Sequence, residues 1–377
     1  MGKGLLAERV RRDIEVIARA GLRLDDFLDE TLSSLHRALS FDAACVATVD
    51  PATLIITSAR KYGGLRGADD HDVAWGQQEY GTPEATSFPL LASAAQRAVG
   101  THLLTEGHLE RSPRMTEFIR PLFGYTDELR GVCSDDRDST WGGVALFRDP
   151  GRPFDADETA FLAELTPSLA LGIRSGILAR IATALVPANR GPAVLITDGR
   201  GEIVQATPGA RDELDRLVPG PAAGSPAGII SLIAGAARRY ATGESATPPR
   251  ARFRTSSGQW LVIHAAPLDA AGSTHGQVVV TIEEARPPEI VALVVAAYDL
   301  TPRERDIVQL VLQGLDTKEI AQAVFLSSYT VQDHLKAIFD KVGVRSRREL
   351  VAKIYVDQYV PRIGAELGPS GWFVGSV

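Results

Sequence analysis

The 377 residues predict a multidomain α+β chain: two antiparallel-sheet modules followed by an all-α head of four helices. Three observations lead there. The length exceeds one ordinary domain of about 100–200 residues. The hydrophobic period switches from helical spacing to short strand-like runs near residue 43 and again near residue 193. Beyond residue 300 only helical spacing remains, with Gly314 and Gly343 as stops.

Residues 5–39 read as a helix, with Leu6, Val10, Ile14, Ile17, Leu24, Leu28, Leu32 and Leu35 at three- and four-residue steps and a break near Gly21. Ala43–Val49 and Leu54–Ala59 are strand-like runs around the turn signal Asp50-Pro51. Residues 62–87 are rich in Gly, Asp, Thr and Pro and predict an irregular connection; Leu90–Val99 predicts a short helix. Asp127–Cys133 and Thr140–Phe147 predict two strands around the polar turn Ser134–Ser139. Asp155, with Glu158 three residues on, caps a long helix to about residue 185. Its row Phe161, Leu165, Leu169, Ile173, Ile177, Ile181 and Leu185 steps by four, so it drifts about 40° per step around the helix, and Pro167 predicts a kink.

After the linker Pro187–Pro192 comes a second mixed segment. Ala193–Thr197 and Glu202–Gln205 form a hairpin at Asp198-Gly199-Arg200-Gly201, Pro208–Leu217 and Ile229–Ala241 are helical, and Arg250–Arg254, Trp260–Ala266 and Val278–Glu283 are strands. That order predicts a small antiparallel sheet with helices on one face. Pro287-Pro288 ends it. The four head helices are placed at about 302–313, 317–324, 328–342 and 347–357. The domains are therefore set at 1–187, 188–286 and 287–377.

Composition narrows the function. The net charge of −7 excludes a chain that binds nucleic acid along its whole length. Residues 1–299 carry 30 Lys/Arg against 38 Asp/Glu, whereas residues 300–356 carry 9 against 7. A basic head on an acidic body suits a tethered DNA-binding module. No apolar stretch of 18 residues and no leader are read, which places the chain in the cytoplasm, without a membrane partner. Two cysteines, Cys45 and Cys133, exclude a disulfide scaffold and a Cys-based zinc site. His71, His102 and His108 read as surface residues, so no metal and no cofactor is expected. No phosphate loop and no Gly-x-Ser-x-Gly context is present, so no catalytic residue is assigned and no enzyme is expected.

Leu300-Thr301-Pro302-Arg303-Glu304-Arg305 opens a helix with Thr301 as N-cap, Pro302 at N1 and Glu304 at N3. Lys318-Glu319-Ile320-Ala321 lies on a short helix. Ser327-Ser328 caps a longer one, on which Val331, Leu335, Ile338, Phe339 and Val342 form the apolar side and Gln332, Asp333 and Lys336 the other. This is a helix-turn-helix pattern. LTPRER, GLDTKEIA, TVQDHLKAIFDKVGV and SRREL, over about 55 residues, resemble the LuxR/FixJ-type helix-turn-helix. The resemblance implies a four-helix head whose last helix often dimerises. It implies Gln332, Asp333 and Lys336 as base readers, and Lys318, Ser328, Tyr329, Thr330 and Lys341 as phosphate contacts. Asp333 would either accept from a cytosine amino group or orient Lys336.

Residues 25–175 resemble a GAF domain in element order and in FDAACVATVD, without the cyclic-nucleotide signature. Residues 190–285 resemble a PAS fold: AVLITDGRGEIVQATPGA reads as its opening hairpin, although Ala206-Thr207 stand where many such domains have Asn. The implied protein is a one-component transcriptional regulator, with double-stranded promoter DNA as partner. It would act as a homodimer joined through the 155–185 helix, with residues 5–39 as a second candidate contact, and RNA polymerase is a further candidate partner. A small molecule in the GAF-like domain would control it, against walls offered by Trp75, Tyr80, Phe88, Phe118, Phe123 and Trp141. A partner protein or a redox input is the alternative control.

Overall fold

The computed structural model describes residues 2–178, 193–217, 225–255, 260–268 and 276–359. The chain is multidomain α+β and packs as two compact units, one reaching to residue 284 and the other from 285 onward. The linker Pro187–Pro192 and the end of the long helix, 179–185, lie outside the described residues.

The first sheet comprises β1 (Ala43–Val49), β2 (Ile56–Gly63), β3 (Ala98–Gly100), β4 (Asp127–Ser134) and β5 (Thr140–Arg148), in the order β2-β1-β5-β4-β3, all antiparallel. β1 lies inside the sheet and every one of its residues is buried. Covered on both faces, it reads as a continuous apolar run rather than an alternating one. The second sheet repeats that order with β6 (Ala193–Thr197), β7 (Ile203–Ala206), β8 (Arg250–Arg254), β9 (Trp260–Pro267) and β10 (Val278–Glu284), arranged β7-β6-β10-β9-β8.

One face of the first sheet is covered by helix Ala156–Leu178, with Leu24–Ala38 beside it and joined to β2 through Asp25–Arg60; Gly2–Arg19 packs on both helices. The single helix expected over 5–39 is two, because Gly21 takes a left-handed φ of +66° and turns the chain back. The Asp155–Glu158 capping box forms reciprocally, with Glu158 N donating to Asp155 at 2.9 Å and Asp155 N to Glu158 at 3.0 Å. The helix runs through Pro167 without ending. Leu162, Leu165, Leu169 and Ile173 are buried, while Phe161 and Ile177 are half-buried, as the drift of a four-residue row requires. Ala156–Leu178 is long and apolar enough to cross a bilayer, which the sequence reading did not anticipate; half of that stretch is buried within the fold. Gly172 lets Phe27 in: a Cβ there would stand 2.0 Å from the ring.

The other face receives what was expected to be irregular. Residues 69–81 form consecutive helical turns, Asp69–His71, Asp72–Gly76 and Gln77–Gly81. The helix expected over 90–99 shrinks to Phe88–Leu91, and Ala98–Gly100 joins the sheet edge instead. Pairing along β4 outweighs helix propensity there. On these turns lies helix Pro226–Ala241, which also covers the second sheet. Both sheets thus share one core, in which Ala47, Phe88, Ile229, Ile233 and Phe253 belong to a single buried cluster.

The second unit holds the four expected helices, Pro302–Leu312, Thr317–Ala323, Ser328–Val342 and Arg347–Tyr359, and one unanticipated, Pro287–Ala297. Pro287-Pro288 starts that helix rather than only ending the sheet, since proline suits the first helical turn. Ile307, Val311, Ile320, Val331, Leu335, Ile338 and Leu350 form the centre of the unit.

Gly172→Ala, overpacked against Phe27, should lose about 1–3 kcal/mol of stability. Urea unfolding of the full chain should show a lower midpoint with an unchanged slope.

Candidate functional site: the helix-turn-helix and a cavity under the shared helix

The helix-turn-helix is built from reciprocal caps. Thr301 accepts from Glu304 N at 3.1 Å, and Glu304 accepts from Thr301 N at 2.6 Å. Asp316 accepts from Lys318 N and Glu319 N at 2.7 and 2.9 Å, while Glu319 accepts from Asp316 N at 2.7 Å. Ser327 caps the longer helix by accepting from Thr330 N at 3.1 Å. Gly343, at φ +71°, ends it in the left-handed conformation. Between the two helices the chain turns at Phe325, also left-handed at φ +55°. Arg303 donates to the Val324 carbonyl and ties the first head helix to that turn.

These caps aim the recognition face. Val331, Leu335, Ile338 and Val342 point inward, and Gln332, Asp333 and Lys336 are exposed on one side of Ser328–Val342. Lys318, Ser328 and Tyr329 are exposed around them, and Thr330 is half-buried with its hydroxyl 2.8 Å from that of Ser327. Phe325, 94% exposed, sits beside this group and was not singled out from the sequence. Lys341 is employed differently from its neighbours. Its Nζ donates to both carboxylate oxygens of Glu304, at 3.0 and 2.7 Å. Burial works against the Glu304 charge, but the hydrogen bonds from Lys341 and Thr301 outweigh it and hold the pKa below the ordinary 4.5.

A second feature lies where helix Pro226–Ala241 meets the first sheet: a cavity of about 70 Å³. Its floor is two cross-strand pairs, Cys45 opposite Lys61 and Ala47 opposite Ala59. Trp75, Gly76, Glu79 and Phe88 form one wall, and Ser225, Gly228, Ile229 and Leu232 the facing one. Of the six expected wall residues, Trp75 and Phe88 line it; Tyr80, Phe118, Phe123 and Trp141 do not. Phe118 packs edge-on against both Trp75 and Phe123, and Phe123 lies tilted against Trp75, with centroids 5.2–5.7 Å apart. Tyr80 donates to Leu54 O at 2.7 Å and accepts from Ile56 N at 2.9 Å. The Trp141 indole donates to Asp135 at 3.3 Å. These four are committed to packing or to backbone hydrogen bonds. Sequence reasoning missed Lys61, Asp72 and Leu232, because no local signal unites residues more than 150 positions apart.

Charge beside the cavity is paired. Arg130 bridges Glu79 at 2.8 Å and Glu128 at 3.2 Å, and Arg114 meets Glu128 at 3.1 Å, all four buried. Burial opposes the Glu128 charge, but the two guanidinium groups hold its carboxyl below the ordinary range. Arg130 also lies over the Phe88 ring, 3.9 Å from its centroid. Burial pushes the thiols of Cys45 and Cys133 up to about 12, so neither is a thiolate at neutral pH. Among the described residues no cluster of His, Cys, Asp or Glu could hold a metal.

An all-α head with a capped helix pair and an exposed polar recognition face defines a helix-turn-helix protein. Residues 299–354 match the family described as bacterial regulatory proteins, luxR family. The spore germination protein GerE of Bacillus subtilis is 40% identical over 55 residues, 15% of this chain and 74% of GerE. The chain belongs to that family, which is one of transcription regulators and not of enzymes. A helix-turn-helix transcriptional regulator of Mycobacterium bovis is 52% identical over 52 residues, 14% of this chain, and the match spans 6% of that relative's length. Among solved structures, the nlh2 GAF domain of A. aeolicus in an inactive state matches 46% of this chain and 98% of its own, at 15% identity and a TM-score of 0.31.

Because the Glu304 pKa is depressed, its contribution to stability is present above about pH 4.5 and lost as pH falls through the lower folded value. Glu304→Gln should cost the head about 1 kcal/mol at neutral pH, the scale of a lost cap. It should also flatten the acid limb of stability, followed by urea unfolding from about pH 6 to about pH 3.

Proposed function

We propose that the chain is a sequence-specific, one-component transcriptional regulator that reads promoter DNA through Ser328–Val342 and takes a small molecule in its front modules. The observation that carries the DNA half is the exposed Gln332, Asp333 and Lys336 on a helix whose opposite side is the core of the unit. Among the described residues the side chains of Gln332 and Lys336 have no hydrogen-bond or ion-pair partner, so both are available to base edges. Lys318, Ser328, Tyr329 and Thr330 flank them where the DNA backbone would pass. Lys341 acts first through Glu304, positioning the first head helix against the recognition helix.

Such heads bind paired half-sites as dimers. The 155–185 helix is an unsuitable dimer contact in its described part, because Gly2–Arg19 and Leu24–Ala38 cover it. The outer face of Gly2–Arg19, with Leu5 and Val16 exposed, is the better candidate. For control, the paired and buried ionic network, the two protonated thiols and the cavity favour a small molecule over a redox input. RNA polymerase stays a candidate partner of the DNA-bound form.

Lys336→Ala and Gln332→Ala should each relax selectivity at one operator position by about 1–3 kcal/mol per lost bidentate contact. Lys318→Ala should instead weaken all sequences alike and reduce the slope of log affinity against log salt by about 1. Anisotropy titrations on an operator selected from random DNA, run over a salt series, read both. Selectivity unchanged in both base-facing variants would sink the assignment.

A further inference from the structure

We propose that the cavity between the first sheet and helix Pro226–Ala241 is a binding site for a compact, uncharged molecule carrying one hydrogen-bond donor, and that this helix, from the second module, is one of its walls. The inference rests on reading the front modules as a sensor and names the site and ligand class that this reading leaves open.

The space is held open from both sides. Its floor puts Cys45 and Ala47 at buried sheet positions and Ala59 at a half-buried one, where Ile or Leu would fill the volume. The walls cannot collapse to compensate, because their backbones already touch. A Cβ on Gly76 would stand 2.8 Å from Leu232 N, and one on Gly228 2.7 Å from the Asp72 Cβ. Helix Pro226–Ala241 is also tethered. Ser225 N donates to Asp72, Gln77 to Ser231 at 3.1 Å, and Ser231 to Val73 O at 2.9 Å.

Size and polarity then select the occupant. A water-sized group takes roughly 10–15 Å³ of such a cavity, so about 70 Å³ admits about five non-hydrogen atoms. The Lys61 ammonium has already spent its three hydrogens, on Ala68 O at 2.8 Å, Asp69 at 2.8 Å and Asp72 at 2.5 Å. The charged groups at the cavity therefore offer spare carboxylate lone pairs, chiefly on Asp72, since Glu79 is already met by Phe88 N and by Arg130 at 2.9 and 2.8 Å, and no spare ammonium hydrogen. An anion meets two carboxylates with no donor left from Lys61. A cation must leave water for walls that are mostly apolar. A neutral hydroxyl compound with a short apolar body suits both the acceptors and the walls.

The test uses the full chain and three probes of one size: butan-1-ol, its isomer diethyl ether, which lacks the donor, and propionate. Saturation-transfer NMR titrations should show butan-1-ol bound at least tenfold more tightly than either. Ala47→Leu fills the floor and should abolish butan-1-ol binding. Leu232→Ala enlarges the cavity from the second module and should bind phenol at least tenfold more tightly than the unmodified chain does. Equal binding of the alcohol and the ether overturns the proposal, as does alcohol binding untouched by a folded Ala47→Leu. If Ala47→Leu does not fold, the Leu232→Ala result decides: a gain for phenol supports the site, and no gain overturns it. Operator affinity is measured on the same samples. In the unmodified chain, no alcohol binding with operator binding intact overturns the site and spares the regulator reading; alcohol binding without operator binding supports the site and sinks the regulator reading.

Discussion

Two antiparallel sheets share one covering helix, and most of the front of this molecule follows from that. Pro226–Ala241 belongs in chain order to the second sheet, yet its glycine face lies on residues 72–81 of the first module. Gly76, Gly228 and Gly235 permit the approach, since each would place a Cβ at 3.0 Å or less from backbone or Cβ atoms across the contact. Backbone contact at that range is specific in position, because a shift of one residue along the helix brings a side chain where only hydrogen fits.

Charge reinforces the contact. Asp72 takes Lys61 from the first sheet and the N–H of Ser225 from the N-cap of the shared helix, so a single carboxylate stands at the helix's positive end. Burial opposes the Lys61 charge, and the bonds to Asp69 and Asp72 outweigh it, holding its pKa above the ordinary 10.5. Farther along, Arg252 of β8 meets the buried Asp50 at 2.6 Å. Removing one member of such a buried pair is costly, because the other charge is then left in a place water cannot reach. The modules are thereby joined by interactions that would have to be given up together.

The head obeys a different economy. Its helices are short, so their ends are a large share of their backbone, and each start carries a cap written locally in sequence: Thr301 with Glu304, Asp316 with Glu319, Ser327 with Thr330. For that reason its helix boundaries were legible to within a residue or two. The same locality explains the resemblance to a known family, since caps, stops and apolar spacing lie within one short window. Sequence could not show that Lys341 would be held by Glu304, 37 positions away, because an exposed lysine has no periodic signature.

The sequence by itself determined the order of most elements, the repeated mixed modules and the helix-turn-helix with its exposed polar side, because those rest on period, caps and turns within a few residues. Tertiary structure decided the rest. It turned an apparently irregular stretch into helical turns, because residues 69–81 gain their order by packing on a helix more than 140 positions later. It committed Phe118, Phe123, Tyr80 and Trp141 to packing or backbone bonds, and it opened a cavity between segments that no local pattern connects. The physical reason is the same in each case: side-chain burial and close backbone approach are properties of pairs distant in sequence.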